Sequence, residues 1–293
     1  MSNPLHTGKV LIFGASGQDG YYLTKQCIVN GLEPIGISRS DGNIAEFSFV
    51  ENLCLLHKPE YIYHLAANST TRHDALFENH ATISSGTLNI LEAVRMHCSA
   101  CKVFITGSGL QFVNRGHPIS EHDEFSATSP YAVARIHTVF AARYYRSLGI
   151  RSYVGYLFHH DSPRRPEQHV SAMVAAAARR IAAGDTRPLM VGDMSVRKEW
   201  AHARDIVAGI WTLVNQDDIY EAVIGTGIDY AIQDWIETCF SAVGLDWREH
   251  VQSREGFKAE YPRLVSDPAT MFGLGWRPKE TLASLAREML ELK

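Results

Sequence analysis

Tyr131 and Arg135, in the run Ser129-Pro130-Tyr131-Ala-Val-Ala-Arg135, set a phenol and a guanidinium four residues apart. At the start of a helix that spacing stacks the two on one face, one turn apart. A phenol titrates near ~10, and a cation that stabilises the phenolate makes it a usable proton donor and acceptor. The same spacing also suits an aromatic packed at a helix start beside a surface arginine, so the chemistry depends on what else converges there.

A second group is present near the N-terminus. The apolar run 10–13 breaks into Gly14-Ala15-Ser16-Gly17-Gln18-Asp19-Gly20, and a helix-compatible stretch, 21–29, follows. Strand, tight turn and helix in that order let the backbone approach a pyrophosphate, whose charge sits on unpaired amides at the positive end of the helix dipole. The pattern predicts a bound dinucleotide. The next strand ends in Arg39-Ser40, a cation and a hydroxyl suited to the 2′-phosphate of NADP, while Asp41 nearby keeps a ribose contact, and hence NAD, open.

These groups need a scaffold, and the chain is long enough for one. Its 293 residues, 45% hydrophobic and 20% charged, suffice for a large α/β core with a smaller lobe. Strand candidates at 10–13, 34–38, 61–65, 103–106, 152–157 and 222–225 alternate with helices, which predicts a doubly wound, Rossmann-type parallel sheet. The interval from Ser40 to Tyr61 holds one helix, around residues 51–57, and little else, so one sheet edge should be trimmed. Helices are expected at 84–96, 131–148 and 170–183. The expected division is a dinucleotide-binding part, 1–157 with 201–226 returning to it, and a substrate lobe, 158–200 and 227–293.

A net charge of −4 without a Lys/Arg block argues against nucleic acid as a partner. No apolar run reaches the roughly 18–20 residues that span a bilayer, so no membrane partner and a cytoplasmic location are expected. The five scattered cysteines fit reduced thiols. Cys98 and Cys101 form a C-x-x-C beside His97, but no second pair stands at metal-ligand spacing and the segment joins a helix to an apolar strand, so neither a metal nor a redox site is expected.

Several separated segments resemble the extended short-chain dehydrogenase/reductases, and specifically their GDP-mannose 4,6-dehydratase branch. They are GASGQDG from Gly14, KPEYIYHLAANS from Lys58, SPYAVAR from Ser129, LFHHDSPRR from Leu157, VRKEWAHARDIVAGIW ending at Trp211, and GLGWRP from Gly273. The resemblance implies NADP-assisted chemistry on a hexose carried by a nucleoside diphosphate, GDP-linked as this branch uses it, with Tyr131 exchanging the proton of a sugar hydroxyl. It implies that Gly14, Ser16, Gly17, Gln18, Asp19 and Gly20 hold the pyrophosphate and that Arg39 and Ser40 hold the adenosine phosphate. Leu65, Ala66, Ala67 and Leu157 line the nicotinamide side, with Tyr131 and Arg135. Ser69, His159, Arg164, Arg165, Lys198 and Glu260 face the substrate.

Four departures stand against that pattern. Arg135 replaces the family's lysine, and Gly107 and Gly109 fall where the resemblance places a catalytic threonine and the glutamate that removes the C5 proton. Thr106, Ser108 or Gln111 could restore a hydroxyl contact, but none is a carboxylate. The segment after Ser40 is short, and Phe257 stands where an arginine is expected. The reading that survives is an NAD(P)-dependent oxidoreductase or epimerase acting at C4, which needs no C5 base. A dehydratase whose base has moved to Glu121, Asp123 or Glu124 is one alternative; a noncatalytic binding subunit is another. Pairing into a homodimer is expected from the resemblance. Ala134, His137, Thr138, Ala141 and Tyr145 form a stripe that fits either the subunit contact or the core.

Overall fold

The computed structural model describes residues 8–291 apart from 69, 255 and 258. The first half runs β1 (Lys9–Phe13), α1 (Gln18–Val29), β2 (Glu33–Ile37), α2 (Phe47–His57), β3 (Tyr61–His64), α3 (Leu76–Asn79), α4 (Gly86–His97), β4 (Lys102–Ser108), α5 (Pro130–Ser147) and β5 (Arg151–Leu157). The second half runs β6 (His160–Asp161), α6 (Val170–Ala182), β7 (Leu189–Val191), β8 (Arg197–Glu199), β9 (Ala201–His202), α7 (Ala203–Val214) and β10 (Glu221–Ile224). It ends with β11 (Asp229–Ala231), α8 (Ile232–Ala242), β12 (Val251–Ser253), β13 (Arg263–Leu264), α9 (Ala269–Gly273) and α10 (Leu282–Met289).

The six strands expected from the sequence form one sheet in the order β10-β5-β4-β3-β1-β2, every pair parallel. Strands covered on both faces read as continuous apolar runs, which is why they were legible. In β1, Leu11 and Phe13 point into a core shared with α2, α4 and α5, and Val10 and Ile12 into one shared with α1 and α7. Each such fully buried side chain contributes about 1.5–3 kcal/mol. The chain leaves β1 for β2 and returns on the other side of β1 as β3, so the carboxyl ends of β1 and β3 flank the switch point where α/β sheets bind ligands. The trimmed edge is β2, followed by α2 alone.

A third apolar cluster joins α6, α8 and α10, with Trp235 fully buried and stacked on Trp200 at 4.8 Å between ring centroids. Glu199, at the end of β8, ties this region to the sheet side. Its carboxylate accepts from Ser266 N (2.6 Å), Gly227 N (3.2 Å), Thr226 Oγ1 (3.2 Å), the Thr226 amide and the Ser266 hydroxyl. So many donors are what a buried carboxylate requires.

Three local expectations are revised. Helix α1 begins at Gln18, not at residue 21, so Asp19 and Gly20 lie in its first turn. A Cβ on Gly20 would stand 2.4 Å from the Gly14 oxygen, so only glycine permits this close packing of helix on turn. The helix expected from residue 84 begins as a π turn over His80–Ser85, whose Thr82 carbonyl faces His64 Nε2 at 3.1 Å. Of the α5 stripe, Ala134, Thr138, Ala141 and Tyr145 are core, with the Tyr145 hydroxyl 3.0 Å from Glu92 Oε2, while His137 is exposed. The outward apolar face of α5 carries Val133, Phe140 and Tyr144 instead.

Candidate active site

Two adjoining cavities, of about 630 and 450 Å³, meet over the glycine turn and share Gly14, Ser16, Gly17, Leu65 and Ala67. Gly14 leaves β1 in the left-handed region (φ 89°), its amide bonded to the Ile37 carbonyl at 3.0 Å, and a Cβ there would press on Ala66 N at 2.8 Å. Gly17 caps α1 with no side-chain cap. A Cβ on it would meet nothing closer than the Gly14 oxygen at 3.4 Å, so its open side is cleft space. Unpaired first-turn amides behind a floor without side chains fit a dinucleotide pyrophosphate.

Gln18 and Asp19 line the smaller cavity, yet their side chains are also engaged across the fold. Gln18 Nε2 donates to the His160 carbonyl (3.2 Å) and Oε1 accepts from Ser162 Oγ (3.0 Å), while Asp19 Oδ1 pairs with His160 Nε2 (2.9 Å). They clamp the glycine turn to β6. Burial works to lower the His160 pKa, but the Asp19 charge and hydrogen bond carry it above the ordinary value.

The larger cavity is bordered by Ser38, Arg39, Asn43, Ile44, Phe49 and Glu78. Arg39 is largely exposed, 3.5 Å from Glu78. Asp41 Oδ2 accepts from Ser38 N (2.8 Å) and Ser38 Oγ (2.7 Å), bonds that lower its pKa. Ser38 Oγ also meets Ser40 Oγ at 2.8 Å, and Ser40 stands outside the cavity wall. Ala66 faces the larger cavity and Leu157 the smaller.

Tyr131 and Arg135 do converge on the smaller cavity. Ser129 Oγ accepts from Ala132 N at 3.1 Å and Pro130 opens the helix, fixing the first turn that carries the phenol. Tyr131 is 8% and Arg135 2% exposed, with the guanidinium carbon 5.0 Å from the Tyr131 ring centroid. Arg135 Nη1 donates to the Thr106 carbonyl, which fastens it to the end of β4, and its Nε has no partner. The Thr106 hydroxyl donates to the His64 carbonyl (2.9 Å), so its proton is committed. Ser108 Oγ accepts from Leu110 N (3.2 Å) and keeps its proton available. His64, not singled out in the sequence, is fully buried, and burial, then the Arg135 charge, pushes its pKa to about 3. It is neutral and anchors β3 to the π turn.

The two glycines of β4 and its end are filled by aromatic rings. A Cβ on Gly107 would stand 2.6 Å from Tyr156 Cδ1, and one on Gly109 2.8 Å from Phe158 Cζ. Tyr156 is held by its hydroxyl on Glu221 (2.7 Å), which Arg143 and Arg146 also pair. Among the described residues the one carboxylate lining the smaller cavity is Asp19, already paired. Glu121 is turned inward to Val223 N (3.2 Å) and Thr270, Asp123 to Ser120 N (2.7 Å), and Glu124 to Arg115 (3.0 Å). None of the three lines the cleft.

The far wall is cationic. His159, Arg164 and Arg165 line the cavity, and so do His169 and Tyr261, which the sequence did not mark. His159 Nδ1 donates to the Glu199 carbonyl (2.7 Å), leaving Nε2 to accept from Lys198 Nζ (3.1 Å). Lys198 sits behind His159, outside the wall, and burial lowers its pKa to about 8. Asp161, fully buried, lies 3.2 Å from both His159 Nε2 and Arg165 Nε. Burial works to raise its pKa, but the charges of Arg165 and Lys198 beside it help hold it below the ordinary value. Arg164 lies over the Tyr21 ring at 4.0 Å. Glu260 is exposed and outside the wall, next to Tyr261, and Ser69 lies outside the described residues. No helix among the described residues is long and apolar enough to cross a membrane, and no group of three or more His, Cys, Asp or Glu there could hold a metal ion.

The family model for GDP-mannose 4,6 dehydratase matches residues 40–289. GDP-mannose 4,6-dehydratase of Vibrio cholerae is 30% identical over 347 residues, covering 96% of this chain and 92% of the relative. GDP-mannose 4,6 dehydratase 1 of Arabidopsis thaliana is 27% identical over 318 residues, covering 96% and 88%. Among solved structures, RMD from Pseudomonas aeruginosa complexed with NADPH superposes with a TM-score of 0.84 at 21% identity, covering 97% of each chain. The dTDP-glucose 4,6-dehydratase of Bacillus anthracis in complex with NAD gives 0.85 at 15% identity, covering 98% and 96%. The fold is that of these neighbours, and the chain belongs to the GDP-mannose 4,6 dehydratase family.

Proposed function

We propose that this chain is an NADP-dependent oxidoreductase or epimerase that works at C4 of a hexose on a nucleoside diphosphate, GDP-linked as in its relatives' names. The observation that carries the reading is the Tyr131–Arg135 pair opening onto a cleft whose one lining carboxylate among the described residues is already paired with His160. A bound nicotinamide supplies or accepts hydride; Gly14, Ser16, Gly17 and Gly20 provide the floor for its pyrophosphate. Tyr131 passes a proton to or from the C4 oxygen, with the Arg135 guanidinium 5.0 Å from its ring centroid. Ser108, with its hydroxyl proton available, donates to the same oxygen. Arg164 and Arg165 meet the diphosphate, and His159, backed by Lys198, contacts the sugar side. Arg39 favours NADP over NAD, and Asp41, bonded to Ser38 through Oδ2, is poorly placed for ribose hydroxyls.

Family membership favours a second reading, elimination of water across C5 and C6. That step needs a base at C5, and rings occupy the space beside Gly107 and Gly109 where the resemblance puts the catalytic pair. The exposed Val133, Phe140 and Tyr144 support pairing with a second copy of the chain, and free cysteines support a cytoplasmic location. The test is a panel of GDP-, dTDP- and UDP-linked sugars and their 4-keto derivatives with NADPH and NADP. The reading predicts a change in cofactor absorbance or in C4 configuration with at least one. Tight binding of cofactor and sugar nucleotide with no turnover across the panel would instead assign a noncatalytic binding subunit.

A further inference from the structure

At the opposite end of the sheet, where strands β3 and β4 begin, a separate cleft of about 610 Å³ is lined by Lys58, His97, Cys98, Cys101, Lys102 and Arg151 among others. Two cysteines line it, Cys98 at the C-cap of α4 and Cys101 one residue before β4, while Cys54 of α2 lies outside the wall. Cys54 and Cys101 are buried, whereas Cys98 is half-buried and faces the cleft. Cys98 and Cys101 close a turn, the Cys101 amide donating to the Cys98 carbonyl at 2.7 Å. A turn of that kind holds its first and fourth Cα within about 7 Å, the separation a disulfide needs. Cys101 Sγ donates to the Lys102 carbonyl at 3.6 Å.

We propose that Cys98 and Cys101 form a thiol–disulfide couple that reacts with hydroperoxides entering this cleft, Cys98 attacking and Cys101 resolving. Cys98 Sγ attacks the terminal peroxide oxygen, the O–O bond breaks, and the leaving oxyanion takes a proton, giving a sulfenic acid and an alcohol or water. The Cys101 thiolate then attacks the Cys98 sulfur, the S–S bond forms, and hydroxide leaves as water with the Cys101 proton. Two thiols are oxidised and one peroxide reduced. The surroundings suit these roles. The neighbouring Cys101 and Cys54 side chains, then Lys58 and His97, hold the Cys98 thiol below its ordinary pKa, against the opposing pull of burial. Lys58 is held there by a left-handed backbone (φ 48°) that ends α2, Glu51 is paired with His97 Nε2 at 2.9 Å, and Glu60 is the carboxylate that lines the cleft among the described residues. Burial, then the neighbouring Cys98, keeps Cys101 a thiol, and Cys98 together with burial does the same for Cys54.

The test treats the full-length reduced protein with hydrogen peroxide and maps the products by mass spectrometry. The proposal predicts loss of two free thiols, a Cys98–Cys101 crosslinked peptide, and return of both thiols with dithiothreitol. Cys101→Ser should stop the reaction at a Cys98 sulfenic acid trapped by dimedone, Cys98→Ser should abolish it, and Cys54→Ser should still form the bridge. Iodoacetamide labelling of Cys98 should stay nearly flat from pH 6 to 8, whereas an unactivated thiol labels about tenfold faster per pH unit below its pKa. A Cys98–Cys54 bridge, oxidation scattered over all five cysteines, or a tenfold-per-unit pH profile would overturn it.

Discussion

Placing at position 109 the glutamate that the resemblance puts there, as Gly109→Glu, should destabilise the protein before it can supply any chemistry. The new Cβ would stand 2.8, 2.9 and 3.0 Å from three carbons of the Phe158 ring, against an ordinary carbon–carbon contact of about 3.5–4.0 Å. Phe158 is itself buried, so the ring has no solvent to swing into. Forcing atoms into a packed site costs about 1–3 kcal/mol, which for a chain of this size lowers Tm by about 2–4 °C per kcal/mol. Phe158→Ala alone should cost about 3–5 kcal/mol, because it leaves a cavity. The double variant removes the ring that the glutamate strikes and lets the glutamate fill the space. It should therefore be more stable than the sum of the singles by about 1–3 kcal/mol. Denaturant unfolding of the four proteins measures this coupling, and sugar analysis after incubation with GDP-mannose shows whether a C6-deoxy product appears only in the double variant. Additive effects, or a Gly109→Glu protein as stable as the parent, would refute the claim that Phe158 occupies the base's place.

Other consequences follow from the same site. Tyr131→Phe should lower turnover by about 10²–10⁴-fold while leaving the unfolding curve unchanged, since the ring stays and only the proton carrier goes; kinetics beside thermal melts check both. Arg39→Ala should weaken NADP by about ten- to a hundredfold, the worth of one charge-assisted contact to phosphate, and leave NAD nearly unchanged, as read by fluorescence titration of each cofactor. The Asp19–His160 clamp should be pH-dependent. Because folding raises the His160 pKa, its stabilisation is full below the unfolded value of about 6.5 and is lost as pH climbs through the higher folded value. Melting curves of parent and Asp19→Asn between pH 5.5 and 8.5 should differ most at the acid end, and a gap that does not change with pH would contradict the assignment.

The sheet was legible because each parallel strand, covered on both faces, is a short apolar run between turn residues, and the glycine turn identifies itself by its position after β1. The Tyr131–Arg135 pair was legible for a local reason too, since four residues are one helical turn. What escaped the sequence is long-range. Asp19 and His160 stand 141 residues apart, and nothing local marks either as the other's partner. That Tyr156 and Phe158 fill the room beside Gly107 and Gly109 depends on the register of β4 against β5, which pairs Gly107 with Tyr156. Lys198 read as a substrate cation because of its charge, but the short β8 turns it behind His159. The α5 stripe could be either core or interface until the packing of α4 against α5 was seen.

The central claim is proton and hydride exchange at C4 without elimination. It is tested most directly by incubating the protein and cofactor in heavy water with GDP-mannose and, separately, with its 4-keto derivative, and by assigning deuterium in the sugar by NMR. The account predicts change confined to C4, with the C5 proton and the C6 hydroxyl retained. Solvent deuterium at C5 together with loss of the C6 hydroxyl would contradict it and return the chain to the dehydratases.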